Sequence, residues 1–201
     1  MKKALIIMLV FSLFILNNGT TCLAEENDSQ SVQYDFKKFC WGDTKEKVIS
    51  VEGTPKSEEQ MKGINASFIA YKTNAVGLDV LLAYSFCEEG LYAVVYASME
   101  EHSNDSLYID DYNSFKSALE KKYGEPAIDK EIWQDDRKEE YYKKRKGDAL
   151  SYGYLSYYTV FFTDTTRIEM KMSSDNYKIT TTIAYASKEI SPGAVNYSNE
   201  I

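Results

Sequence analysis

From Val76 the chain alternates without a break. Val76, Leu78, Val80, Leu82, Tyr84 and Phe86 fall on one side, and Gly77, Asp79, Leu81, Ala83, Ser85 and Cys87 on the other. Six successive matches to a period of two predict a strand with one face toward a core. Cys87-Glu88-Glu89-Gly90 reads as a turn, and Leu91 to Met99 as the antiparallel partner that follows it. Upstream, Ala66 to Lys72 is a shorter apolar strand, closed by a turn at Thr73-Asn74.

Ahead of these strands the signals are helical. Asp43 suits an N-cap, with Glu46 at the capping-box spacing, and Val48, Ile49 and Val51 form a short apolar stripe. Gly53 offers a left-handed C′ position and Pro55 forbids continuation, which predicts a short helix. Beyond a polar loop around His102 a second stripe begins. Tyr108, Tyr112, Phe115, Leu119 and Tyr123 recur at helical spacing until Gly124 and Pro126 stop them. Both helices therefore end in Gly-x-Pro.

The echo continues downstream. Ile132-Trp133, Leu150 to Thr163, Arg167 to Met172 and Lys178 to Ala186 read as strands, with a turn at Ser173 to Asn176. Tyr96-Ala97-Ser98 in the first half matches Tyr185-Ala186-Ser187 in the second. The helix-stop glycine precedes that tyrosine by 43 residues in one case and 61 in the other. The charged stretch Asp135 to Asp148 accounts for the excess as an insertion or extended loop. The pattern predicts an α+β fold of two degenerate helix–Gly-x-Pro–antiparallel-sheet units, residues 36–106 and 107–187, sharing one sheet. Residues 25–35 read as a flexible leader and 188–201 as a flexible tail.

The first residues carry an export signal. Lys2 and Lys3 precede an apolar run from Ala4 to Leu16, too short for the roughly 20 residues that span a bilayer. Cys22 and Ala24 place small residues where signal peptidase needs them, so cleavage is expected after Ala24, leaving a secreted or periplasmic protein. Lipidation at Cys22 is disfavoured, because Gly19 stands where a branched apolar residue is required. No later segment approaches spanning length. Removing Lys2 and Lys3 takes the formal charge from −8 to −10, which argues against a nucleic-acid partner.

Cys40 and Cys87 remain after cleavage. In an oxidising compartment an even count invites a disulfide, which would close a loop of roughly 47 residues and contribute about 4 kcal/mol. The alternative is two free thiols, the more sheltered acting as a small hydrophobe. Two cysteines and the single His102 cannot build a four-ligand zinc site, and no motif calls for a cofactor.

Trp41-Gly42-Asp43-Thr44-Lys45-Glu46-Lys47-Val48, followed by Gly53-Thr54-Pro55, resembles the Gly-x-Ser/Thr-x-x-x-Val…Gly-x-Pro helix of small outer-membrane assembly lipoproteins. The same helix-then-sheet unit, used twice, resembles the plan of the β-lactamase inhibitory protein family. Gly42, Thr44, Val48, Gly53 and Pro55 carry the match over about fifteen residues. The second helix departs from it, offering Asp110-Asp111-Tyr112 at its start, and the inhibitors rely on two disulfides where only two cysteines remain here. The resemblance implies a fold and hints at protein binding; a shared fold does not carry function across.

Catalytic constellations are missing. Glu100-Glu101-His102-Ser103-Asn104-Asp105 holds Ser, His and Asp, but as neighbours on a polar loop, where a triad cannot assemble and a solvated histidine is expected. Asp79 interrupts an apolar strand and is expected to face solvent. Carboxylates are plentiful enough to leave a secreted hydrolase as the alternative reading. The compositional anomaly is tyrosine, at 17 residues. Tyr141, Tyr142, Tyr152, Tyr154 and Tyr158 lie near Lys143, Lys144 and Arg145, the residue types favoured at binding surfaces. Tyr152, Tyr154 and Tyr158 share a strand face if the strand is continuous; core filling is the competing account of these rings. The expectation is an exported, non-catalytic module contacting another protein or a wall component.

Overall fold

The computed structural model describes residues 33–61 and 63–192. The expected export signal and cleavage site, most of the expected leader and the end of the expected tail lie outside the described residues. Helix α1 (Lys45–Glu52) is followed by β1 (Ser57–Gln60), β2 (Ser67–Ala75), β3 (Leu78–Cys87) and β4 (Gly90–Ser98). Helix α2 (Ser106–Tyr123) is followed by β5 (Ile128–Trp133), β6 (Leu155–Phe162), β7 (Thr166–Asp175) and β8 (Lys178–Ser187). Between β5 and β6 stand two further helices, α3 (Asp136–Tyr142) and α4 (Lys146–Ser151). The eight strands form one antiparallel sheet in the order β1-β2-β3-β4-β8-β7-β6-β5. The class is α+β with one shared sheet, as the pattern predicts; each half is a helix followed by four strands, and β1 is a strand that the pattern does not predict.

The two Gly-x-Pro stops adopt the same backbone. Gly53 has φ 87° and ψ −162°, Gly124 has φ 81° and ψ −162°, and their N–H groups donate to Ile49 O and Glu120 O, each at 2.9 Å. This is the extended positive-φ region open essentially only to glycine, in place of the left-handed helical cap expected. The first cap also shifts by one residue. Thr44 Oγ1 accepts from Lys47 N–H, while the Asp43 carboxylate turns back to accept from Cys40 N–H at 2.9 Å and to pair with Lys47 Nζ at 2.8 Å.

Turns correct several strand boundaries. β2 runs through Thr73-Asn74, and the reversal falls at Val76-Gly77, both at positive φ, with Asn74 Oδ1 accepting from Gly77 N–H. Val76 is therefore exposed in a turn and not the first core residue of a strand. The reversal after β7 falls at Asn176-Tyr177, and Leu150 lies in the last turn of α4 instead of opening a strand. The alternation in β3 holds at Asp79, which is exposed, but Ala83 and Ser85 on that same side are buried. β4 is buried from Leu91 to Val95 without a break, so the middle strands cover both their faces.

By packing, the chain divides into two units that cut across the sequence repeat. One takes Met1–Tyr71, Ala83–Val94 and Tyr185–Ile201, as far as these are described. Its core is aromatic: Tyr84 meets Phe36, Phe39 and Tyr71 edge to face, and Phe36 meets Tyr185 with centroids 4.9 Å apart. Tyr84 donates to Glu52 Oε1 at 2.6 Å and Tyr71 to Gly53 O at 3.0 Å, which fixes the end of α1. Lys188, Glu189 and Ile190, read from sequence as tail, are half-buried, and the last two donate from their N–H groups to Ser187 Oγ.

The other unit takes Lys72–Leu82 and Val95–Ala184. Tyr112, Phe115 and Leu119 of the predicted α2 stripe are buried, as are Val160, Phe161, Ile168 and Met170 of β6 and β7. Tyr112 Oη bonds Thr159 Oγ1 at 2.8 Å, Thr159 donates to Asp129 Oδ1 at 2.8 Å, and Lys116 pairs with the same carboxylate. This relay satisfies the polar groups that α2 brings into the core.

Candidate functional site

The inserted segment folds as a helix pair with unequal burial. α4 is the anchor: Gly147, Ala149, Leu150 and Ser151 are buried, and Gly147 lies so close to Ser106 that a Cβ there would come within 2.7 Å of its backbone nitrogen. α3 buries no residue. It is started by Asp135, whose side chain accepts from Lys138 N–H at 3.0 Å, and it carries Tyr141 and Tyr142 at its end. Tyr152 and Tyr154 follow α4 through the turn at Gly153, and Ser174 Oγ donates to Ser151 O at 2.9 Å, tying β7 to the end of α4.

These ties gather five tyrosines into one surface. Tyr141 meets Tyr142 at 4.8 Å between centroids, Tyr142 meets Tyr154 at 5.5 Å, Tyr154 meets Tyr152 at 5.7 Å, and Tyr152 meets Tyr177 at 5.9 Å. The planes cross at 50° to 88°. Tyr141 is 69% exposed, Tyr152 50% and Tyr177 73%, values far from a core. None of the five hydroxyls has a hydrogen-bond partner among the described residues, whereas the hydroxyls of Tyr71, Tyr84, Tyr112 and Tyr158 all do.

Cations sit among the rings. Lys138 Nζ lies 3.7 Å from the Tyr154 centroid, and the Arg145 guanidinium lies 5.0 Å from Tyr142 and 5.1 Å from Tyr141. Such contacts hold a ring's orientation by about 0.5–1 kcal/mol at exposed sites. Lys143 and Lys144 are exposed beside them, and neither forms an ion pair among the described residues.

Seven of the eight residues expected from sequence therefore lie on this surface, and Tyr158 does not. It belongs to β6, where its hydroxyl donates to Glu169 Oε1 at 2.6 Å and accepts from Arg167 at 3.1 Å, while Arg167 also pairs with Glu169. The shared-parity argument fails because Tyr152 and Tyr154 precede the strand. Tyr177 takes the place left open, and its neighbour Asn176, a turn former, is the signal that a tip residue follows.

The other chemical candidates resolve into structural roles. His102 is paired, not solvated: its Nε2 lies 2.7 Å from Asp111 Oδ2, and Tyr108 packs edge-on against the ring and accepts from the His102 N–H. No disulfide joins Cys40 and Cys87. Cys40 is buried. Burial pushes the Cys87 thiol up to about 12, helped by its hydrogen bond to Glu89, and that bond holds the Glu89 carboxyl below its usual range. No group of three potential metal ligands exists among the described residues, and no helix there is long and apolar enough to cross a membrane. No family model, curated protein or solved structure matches the chain significantly.

Proposed function

We propose that the protein is an exported, non-catalytic binding module that contacts another protein through the tyrosine surface at Tyr141, Tyr142, Tyr152, Tyr154 and Tyr177. The carrying observation is that five rings, three exposed and two half-buried, pack against one another with their hydroxyls unengaged by the described residues. Aromatic surface kept out of a core is the signature of a contact site. The amino-terminal segment from Lys2 to Ala24 supports export. The helix-then-sheet order, used twice, agrees with the plan that the resemblance to the β-lactamase inhibitory and assembly-lipoprotein families implies; that plan hints at protein binding and does not itself carry the function.

The sheltered carboxylates favour the same reading over a hydrolase. Asp43 serves Cys40 N–H and Lys47, Glu52 serves Tyr84 and Lys37, Asp111 serves His102, and Glu169 serves Tyr158 and Arg167. Acids held in this way brace the fold.

The test is a triple replacement, Tyr141→Ala with Tyr152→Ala and Tyr177→Ala, immobilised beside the natural chain. Stability should stay within about 1 kcal/mol, since none of the three is buried. Proteins retained by the natural chain from the source's envelope and medium should be lost by the variant. Unchanged retention would remove the surface from the account.

A further inference from the structure

Resting on that reading, we infer that the tyrosine surface receives an acidic segment of its protein partner. The argument begins with how charge is distributed along the inserted helices. Six cations and five acids lie between Asp135 and Asp148, a net of +1 within a chain of −8. They are not mixed evenly. Four acids (Asp135, Asp136, Glu139, Glu140) and two cations (Arg137, Lys138) precede Tyr141, while four cations (Lys143, Lys144, Arg145, Lys146) and one acid (Asp148) follow Tyr142. Lys146 is occupied by Glu131 at 2.6 Å, and Arg145 lies 3.4 Å from Asp148. Lys143 and Lys144 are left facing solvent at the margin of the rings.

Ring geometry selects among anionic partners. A flat sugar chain stacks best on rings that share a plane, and here neighbouring planes cross at up to 88°. One ring face is already taken by Lys138, and the Arg145 guanidinium stands near two others. What remains is phenolic O–H groups without partners among the described residues, the electropositive ring edges and the two exposed ammonium groups of Lys143 and Lys144. Each of these attracts a carboxylate. The irregular relief of crossed rings suits peptide side chains of differing shape, with apolar residues between the rings and Asp or Glu toward Lys143 and Lys144.

Backbone strain points to the same surface. Asn176 and Tyr177 both have positive φ, 49° and 61°, in the two-residue loop joining β7 to β8. That turn type favours glycine at its second position, yet a tyrosine stands there, 73% exposed and edge-on to Tyr152. A ring held at conformational cost without burial is accounted for by a contact outside the chain.

The experiment titrates the protein with three defined probes, followed by amide NMR: a short synthetic peptide of glutamate and phenylalanine, the same peptide with lysine replacing glutamate, and polygalacturonate as a glycan polyanion. The glutamate peptide should perturb Tyr141 to Arg145 and Tyr177 and bind more weakly as salt rises. The double variant K143E/K144E, altered only at exposed positions, should bind it about tenfold more weakly or worse. Equal binding by the lysine peptide, tighter binding of polygalacturonate at these residues, or no effect of K143E/K144E would each overturn the inference. So would the absence of any binding by the glutamate peptide. If the tyrosine triple variant nevertheless loses its natural partner, the surface stands and only its acidic preference falls.

Discussion

Gly90 sits so tightly against Gly42 that a Cβ on Gly90 would come within 2.3 Å of the Gly42 carbonyl oxygen. Around this contact Gly42 N–H donates to Leu91 O at 2.8 Å and Leu91 N–H donates to Asp43 O at 2.9 Å. The loop ahead of α1 is thus stitched to the start of β4, backbone to backbone. Gly90→Ala should cost about 2–4 kcal/mol, since both its φ of 102° and the clash oppose it. Gly53→Ala meets no atom within 4 Å and should cost only the conformational part, about 1–3 kcal/mol. Urea denaturation of the two variants checks the order; a smaller loss for Gly90→Ala would contradict it.

The α2 relay yields a second expectation. Tyr112→Phe keeps the ring against Tyr157 and removes the buried hydroxyl that bonds Thr159 Oγ1 at 2.8 Å and reaches Met170 O at 3.4 Å, so a loss of about 1–2 kcal/mol is expected. Leu119→Ala, in the same buried stripe, should cost about 2–4 kcal/mol. Chemical denaturation measures both, and equal stability of Tyr112→Phe would mean the relay adds nothing to the fold.

Buried phenols set the behaviour in alkali. Burial pushes the hydroxyls of Tyr92, Tyr112 and Tyr157 well above their ordinary value. A raised folded value means the native state holds its protons longer than the unfolded chain does. The stability they contribute is complete below about pH 10 and is lost as the pH climbs toward the folded values. Tyrosine absorbance followed together with circular dichroism should show these three ionising only as the fold melts. Full ionisation of all tyrosines with an intact spectrum would refute their burial.

Thiol chemistry offers an independent check. With Cys40 buried and the Cys87 thiol pushed up to about 12, the reactive thiolate is scarce at neutral pH. Alkylation read at each residue by peptide mass spectrometry should be slow in the native protein and fast in denaturant. Rapid native labelling of Cys87 would show that Glu89 does not hold it.

The helices and the long hairpin were legible because burial imposes periodicity. The α2 stripe from Tyr108 to Tyr123 and the Val80 to Phe86 alternation are records of a face turned to a core. β1 escaped notice because Ser57-Glu58-Glu59-Gln60 is a polar edge that pairs through its backbone, Ser57 opposite Ala70 and Gln60 opposite Ser67. α3 left no stripe because it buries nothing. Burial of Ala83 and Ser85 could not be read either, since it depends on what covers the second face of β3. At the candidate site, composition pointed to the stretch whose rings gather on one surface, whereas Tyr158 and Tyr177 were sorted by turn positions that parity alone does not fix.

Equilibrium denaturation of Tyr177→Gly tests the account most directly, because it asks whether that ring serves the fold. Glycine relieves the positive φ and removes only an exposed ring contact, so stability should be unchanged or higher by about 0.5–1 kcal/mol. A loss greater than about 1 kcal/mol would make Tyr177 a structural residue and contradict the reading of this surface as a place for a partner.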